Sequence, residues 1–408
     1  MNDAPSPTES SAKTRKIPLL LKLYAVYCLV TAGVILVLMG LILVPLVRYG
    51  VDLFRESHDV TLAMSLTVVE VVNLLVGAVG YVTFGVLTLR DRRRHVAQIA
   101  YGLVAVNVVG ILLEIMVHGF GPNLIYAGVR LVILLVIATT IDPTLVSERR
   151  LQRRLRDMET EEEAEAGTLG RAKGDRGFIE LDFFNLFWVF VVCSVLGLII
   201  EVVFHMVVVD PGHYQDRAGL LFGPFSPIYG VGAVLMTVAL NRFYKANPVI
   251  IFLVSAVIGG LFEAAVSWFM QVGFGAVAWD YSGSTIFGLF PDPVAELMGG
   301  RTSTQFMCMW GALGLVWIRL CLPWLLRLIN LIPWKARYSF TTVCAALMLV
   351  NAVMTMQALE CWYQRESGMQ PTLPIEQFYA RNFDDAYMAN RFQSMTITPE
   401  NSARVPKA

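Results

Sequence analysis

The sequence predicts an all-α, polytopic membrane protein with about nine transmembrane helices, a cytoplasmic N-terminus and a C-terminal tail outside. Three observations lead there. Hydrophobic residues make up 56% of the 408-residue chain and charged residues only 16%, more apolar side chain than a water-exposed surface can hide. About nine apolar stretches reach or approach the roughly 20 residues that cross a hydrocarbon core. Lys and Arg gather at alternate ends of those stretches, the pattern of cytoplasmic loops.

In chain order, residues 1–22 read as a disordered cytoplasmic N-terminus carrying Lys13, Arg15, Lys16 and Lys22. The first four spans, 23–47, 62–89, 96–117 and 124–141, make a four-helix N-terminal membrane region over 23–141. The first apolar run is too long for a signal-peptide core and has no small-residue cleavage site after it, so it is expected to stay as an anchor. Residues 142–182 start with Arg149, Arg150, Arg153, Arg154 and Arg156 and turn acidic, with no apolar stripe wide enough to pack. That segment reads as a solvated helix and charged cytoplasmic linker, with a helix that docks a cytoplasmic partner as the sharper alternative. Spans at 184–209, 225–243, 249–271, 303–326 and 338–359 build a five-helix domain over 183–359. Arg90, Arg92, Arg93 and Arg94 follow the second span, Arg242 and Lys245 the sixth, and Arg327, Lys335 and Arg337 the eighth, all expected on the cytoplasmic side. Residues 360–408 form an extracytoplasmic tail whose FYARNFDDAYMANRFQSM run, 378–395, suits a short helix docked on the outer surface.

Charge and motif content narrow the function classes. With 32 basic and 32 acidic residues the net charge is zero, which gives no footprint for nucleic acid. His58, His95, His118, His205 and His213 are scattered, with neither HExxH nor zinc spacing to cysteine. The six cysteines form no CxxC and read as small buried hydrophobes. Ser282 has no GxSxG context. No catalytic residue, metal or cofactor is therefore expected, and the chain is read as not an enzyme. The partner the composition demands is the lipid bilayer, in a multi-pass cell-membrane protein.

One segment breaks the hydrophobic pattern. Residues 217–233 read RAGLLFGPFSPIYGVGA, too rich in Gly and Pro for ordinary helix and too apolar for a solvated loop. Irregular backbone at membrane depth is tolerated only where protein or a water-filled cavity covers it, so the run marks a site. Ionisable groups inside the apolar stretches are the second signal, because charge there is costly unless paired or hydrated. In the first half Glu70, Glu114 and Arg130 are expected to neutralise one another. In the second half Glu201 and Glu263, Arg217 at the head of the Gly/Pro run, and Asp280 and Arg301 in the next outer loop converge on the outer side, with His205 nearby and Arg319 apart from them. The sixth and eighth helices would point their N-termini at this cluster, which permits an anion cleft, while the acids permit a cation or proton path. A purely structural charge network is the competing reading. Trp279 and Tyr281 suit an interfacial loop in which Asp280 and Ser282 hold a turn. Gly110, Glu114 and His118 also repeat the spacing of Gly197, Glu201 and His205, a faint echo between the halves.

These residues carry a family resemblance. Gly197 to Glu201, Arg217 to Gly219, Gly223-Pro224, Pro227-Ile228-Tyr229-Gly230, Gly232, Glu263, Trp279 to Ser282, Gly300-Arg301 and Trp310-Gly311 resemble the family of putative type IV ABC-transporter permeases, also described as CmpB-like membrane proteins. The resemblance covers the second half of the chain and leaves the first four helices unaccounted for. Ala278 stands where the family usually has a first tryptophan before DYS, and Gln271 where an acidic residue is common. The resemblance implies a permease subunit moving an unidentified solute with energy from a separate ATPase, since the chain has no GxxxxGK[ST] of its own. It also implies ligand or translocation roles for Glu201, Arg217, Tyr229, Glu263, Asp280, Tyr281 and Arg301. Gly219, Gly223, Pro224, Pro227, Gly230, Gly232, Trp279 and Ser282 would supply the structural motif. A non-transporting cell-envelope scaffold or assembly factor remains the alternative.

Overall fold

The computed structural model describes residues 17–57, 61–174, 177–277, 279–286 and 288–402. Lys13, Arg15, Lys16, His58 and Ala278 lie outside the described residues. Among the described residues, eight helices are long and apolar enough to cross a membrane, and the strands are two residues each, Thr285–Ile286 and Phe290–Pro291, paired antiparallel. The chain is thus an all-α, multi-pass membrane protein. It divides into two compact units, Met1–Asp52 with Ala63–Leu151, and Leu53–Leu62 with Gln152–Ala408.

The first unit contains α1 (Leu19–Ser57), α2 (Leu62–Leu89), α3 (Arg93–His118), α4 (Asn123–Thr140) and the start of α5 (Pro143–Glu165). Val30, Val34 and Leu41 on α1 and Val68, Val72 and Val79 on α2 are each more than half exposed, which suits a lipid-facing surface rather than water. Inside, Phe84, Val96, Ala97, Ala100 and Leu134 are fully buried. Small residues let α2 and α3 approach closely: Gly80 lies against Leu103, Gly77 against Val106 and Gly110 against Asn73.

The expected neutralisation among Glu70, Glu114 and Arg130 is not what forms. Arg130 Nε donates to Asn107 Oδ1 at 2.6 Å, and its guanidinium stands 5.8 Å from the centre of the Tyr81 ring. Asn107 Nδ2 in turn donates to Tyr81 Oη at 2.8 Å. An amide oxygen and an aromatic face therefore take the role assigned to a carboxylate.

The second unit holds α6 (Phe183–Phe204), continued by a π-turn over His205–Val209, then α7 (Pro227–Leu240), α8 (Pro248–Phe274), α9 (Pro293–Leu297), α10 (Thr304–Val316), α11 (Leu322–Ile329), α12 (Trp334–Glu366), α13 (Pro374–Asn382) and α14 (Asp385–Arg391). A π-turn over Trp317–Cys321 joins α10 to α11 into one span, Thr304–Ile329. Pro323 sits in the first turn of α11, where its missing N–H removes one ladder bond and explains the interruption. Glycines again set the spacing: Gly230 lies against Ser194, Gly259 against Trp310 and Gly314 against Ser255.

Two expectations change here. The sixth apolar stretch starts at Pro227 rather than 225, and Pro227–Phe243 is shorter than the eight crossing helices. At 1.5 Å per residue it covers roughly 25 Å of a hydrocarbon layer about 30 Å thick, because Gly223-Pro224 and Pro227 keep the preceding backbone out of the helix. The linker is also only partly solvated. Leu151, Leu155 and Met158 on α5 are exposed, but Thr160 is buried and Ile179 is wholly buried in the core of the second unit. Arg156 stacks on the Tyr338 ring at 4.3 Å, and Lys173 bridges Glu159 and Glu163.

Asn241, 1% exposed at the end of α7, holds that segment down. Its Oδ1 accepts from Phe178 N and Ile179 N at 2.9 and 3.0 Å, and its Nδ2 donates to Ile179 O at 2.8 Å. Asn241→Ala leaves three backbone groups without partners, at about 1–3 kcal/mol for each buried one. The expected outcome is a lower melting midpoint in detergent and faster tryptic cleavage at Arg171 and Lys173, with the wild-type cleavage rate counting against it.

Candidate functional site

Three stretches outside the long helices meet at one end of the second unit: 210–226 between α6 and α7, 275–303 between α8 and α10, which carries the short α9, and the tail after α12, which carries α13 and α14. Gln215 Nε2 donates to Gln393 O at 2.9 Å, and Gly275 packs on the Thr398 carbonyl. The tail therefore docks where the Gly/Pro run lies.

Many backbone groups of the run 217–226 find partners although it is not helical. Gly219 N donates to Phe225 O at 2.8 Å and closes a tight turn. A Cβ on Gly219 would stand 2.7 Å from Pro227 Cδ, and Gly223 has φ 76°, so both positions favour glycine. Leu221 N donates to Thr355 Oγ1 at 3.0 Å, and Phe222 exchanges two hydrogen bonds with the Asn351 amide at 3.2 and 2.8 Å. Ser226 N donates to Ser194 O at 3.0 Å. Arg391 on α14 serves two carbonyls of the run, donating to Leu220 O at 2.9 Å and Gly223 O at 2.6 Å, and pairs with Asp216 Oδ2 at 2.9 Å. Pro224 is exposed, Pro227 opens α7, and Gly230 and Gly232 pack against α6 and Trp310.

Three charged side chains, Glu201, Arg217 and Glu263, come together around Tyr229. Arg217 Nε donates to Glu201 Oε1 at 2.8 Å and its Nη1 to Gln215 Oε1 at 2.6 Å. The Tyr229 ring covers Gly197, one turn before Glu201, and its phenol lies within electrostatic range of Glu201, Arg217 and Glu263. Glu263 is 6% exposed and accepts from Tyr281 Oη at 2.9 Å, Thr302 Oγ1 at 3.0 Å and Trp310 Nε1 at 3.3 Å, three neutral donors. Burial, and then the neighbouring Glu263 carboxylate, push the Tyr281 phenol above its ordinary range, so it stays a donor. Its ring is fixed by Phe306, 4.4 Å away between centres.

Arg301 Nη2 donates to Gln271 Oε1 at 2.7 Å, its carbonyl accepts from Trp279 Nε1 at 3.1 Å, and its buried Nε has no partner among the described residues. Asp280 is exposed and holds a turn, accepting from Ser282 N at 2.8 Å. Hydrogen bonds from Ser282 hold its carboxyl below the usual carboxylate range. A side chain on Gly300, φ 75°, would collide with both residues.

The anion cleft permitted by two free helix ends loses one of them. Asp292, 2% exposed, accepts from Val294 N and Ala295 N at the start of α9 and from Thr304 N and Oγ1 at the start of α10. Burial opposes its ionisation, yet those donors outweigh it and hold its carboxyl below the usual range. A carboxylate thus already occupies the positive end of α10.

Glu201, Arg217, Tyr229, Glu263, Tyr281 and Arg301 are brought to this end as the sequence suggested, while His205 is buried in the π-turn with Nδ1 unpartnered among the described residues. Arg319 is apart from them, donating to Ala246 O at 2.6 Å at the opposite end. Asn351, Thr355, Asp292, Thr302 and Arg391 were missed. Polar residues spaced four apart in an apolar helix, Asn351 and Thr355, were the available signal. The assembled set has one ion pair, one carboxylate held by neutral donors and one guanidinium with an unused N–H. Such a set suits ion or proton binding better than nucleophilic chemistry.

Arg391→Ala removes the clamp between tail and run. The expected outcome is at least tenfold faster proteolysis beyond Phe383 with unchanged helix content by circular dichroism; equal rates would deny the clamp any role.

Among curated proteins nothing matches the chain, and no solved structure matches it. Glu201, Arg217, Tyr229, Glu263, Asp280, Tyr281 and Arg301 all fall within residues 188–356, the segment that matches the family model described as "Putative ABC-transporter type IV".

Proposed function

We propose that the second unit is the permease subunit of an ABC-type transporter in the cell membrane, moving a solute with energy from a separate ATPase. Glu263 carries this reading. A carboxylate inside an apolar helix costs a few kcal/mol or more unless a cation, a proton or water attends it, and all three of its hydrogen-bond donors are neutral. It lies beside the broken entrance to α7, inside the family match. Arg242, Lys245 and Lys335 cluster around the helix ends opposite the 210–226 run, so by the positive-inside pattern the site opens outward and the tail lies outside. ATP hydrolysis belongs to the partner, and the chain itself is no enzyme.

A second reading, a non-transporting cell-envelope scaffold, is favoured by one observation. The Glu201–Arg217 pair and the Glu263 hydrogen bonds are complete within the chain, as a network that only fixes helix packing would be.

Mild-detergent purification of the intact assembly separates the two. The permease reading expects an ATPase to co-purify, and Glu263→Gln to lower the reconstituted complex's ATP turnover at least tenfold at unchanged helix content and yield. Repeated purification without any ATPase overturns it. A Glu263→Gln variant with wild-type turnover removes Glu263 from the mechanism.

A further inference from the structure

The first unit, which the family match does not reach, holds a second set of convergent side chains. Glu70 on α2 and Glu114 and His118 on α3 bring one ligand atom each to within 4.8 Å of one another. From this geometry we infer that the first unit binds a divalent transition-metal cation of the zinc class, with Glu70, Glu114 and His118 as its three protein ligands.

The placement follows from packing. α2 and α3 run antiparallel in one register, Gly80 on Leu103, Gly77 on Val106 and Asn73 on Gly110. The next turn along brings Glu70 opposite Glu114. Glu114 and His118 are one helical turn apart and share a face. Their separation is already that of two ligands on one ion: His118 Nδ1 lies 3.5 Å from Glu114 Oε2, and bonds of about 2.1 Å at tetrahedral angles put ligand atoms roughly 3.4 Å apart. Glu70 closes from a distance that a rotamer adjustment covers.

The surroundings fit the same reading. Asn123 Nδ2, at the start of α4, donates to Glu114 Oε1 at 3.0 Å and leaves Oε2 turned toward His118. Such an outer hydrogen bond fixes a ligating carboxylate. The His118 side chain is 55% exposed, which gives ions a path from solution. One imidazole with two carboxylates suits zinc or manganese better than calcium or magnesium, which take all-oxygen sets. Three protein ligands leave room for water. The bound cation would tie α2, α3 and α4 together.

The test uses the full chain in detergent with its affinity tag removed, stripped by chelator and titrated with Zn²⁺ by calorimetry. The expected result is saturable binding, with His118→Ala and Glu114→Gln each weakening it at least tenfold and Asn123→Ala by about tenfold. His118→Ala changes an exposed side chain, so folding should survive, and gel filtration checks it. The wild-type melting midpoint should rise with Zn²⁺, and that of His118→Ala should not. Three results overturn the inference: no saturable binding up to millimolar Zn²⁺, binding unchanged in both ligand variants, or Mg²⁺ binding as tightly as Zn²⁺.

Discussion

Backbone that leaves a helix in apolar surroundings must find other partners for its N–H and C=O groups, and the second unit is arranged around that constraint. The run 217–226 contains buried Ala218, Leu220, Leu221 and Ser226, so water cannot serve it throughout. Its partners come from α6 through Ser194, from α12 through Asn351 and Thr355, and from α14 through Arg391. Asn351, Thr355 and Arg391 are polar side chains on otherwise apolar or docking elements, and Ser194 contributes its main-chain carbonyl. The helix order, the position of α12 and the docking of the tail all serve a stretch of ten residues.

The charged site depends on the same run. Because the chain is held away from helix until Pro227, Arg217 can fold back onto Glu201, and Tyr229 begins α7 over Gly197. Glu263 is reached from the other side by a loop that Gly300 and the Asp280–Ser282 turn hold in shape, presenting Tyr281 and Thr302. Aromatic rings fill what glycines vacate: Trp310 occupies the space beside Gly259 and still reaches Glu263 with its indole N–H. Packing and hydrogen bonding are therefore one arrangement here, and a glycine on α8 is as much a condition of the site as the carboxylate four residues later.

What could be read beforehand was what depends on composition and local pattern. Apolar length located the helices, and Gly-Pro content located the break. Ionisable residues in apolar surroundings single out Glu201 and Glu263, with Arg217 at the head of the Gly/Pro run and Arg301 in the next loop beside them. What escaped depends on residues far apart in sequence. Arg391 lies 168 positions from the Gly223 carbonyl it serves, and no periodicity announces such a contact. Charge invites charge, so a carboxylate is the expected partner of Arg130, whereas an Asn on α3 and a Tyr on α2 are chemically sufficient. Glu70, Glu114 and His118, split between α2 and α3, show neither HExxH nor Cys–His spacing. The charge run of 142–182 and its lack of a wide apolar stripe give no sign of the buried Ile179 and its Asn241 partner.

The partners of the 217–226 run also impose an order on how the protein is made. Leu221 waits for Thr355, 134 residues later, and Leu220 waits for Arg391, 171 residues later. While the ribosome is still adding those residues, α6 and α7 are already synthesised and the run between them has unpaired amides and carbonyls. It must meanwhile stay in water or be held by the insertion machinery. The break in the helix pattern is thus a deferred fold, finished by parts of the chain made much later. A nascent protein released before the tail would have most of its helices but an open seam at the site.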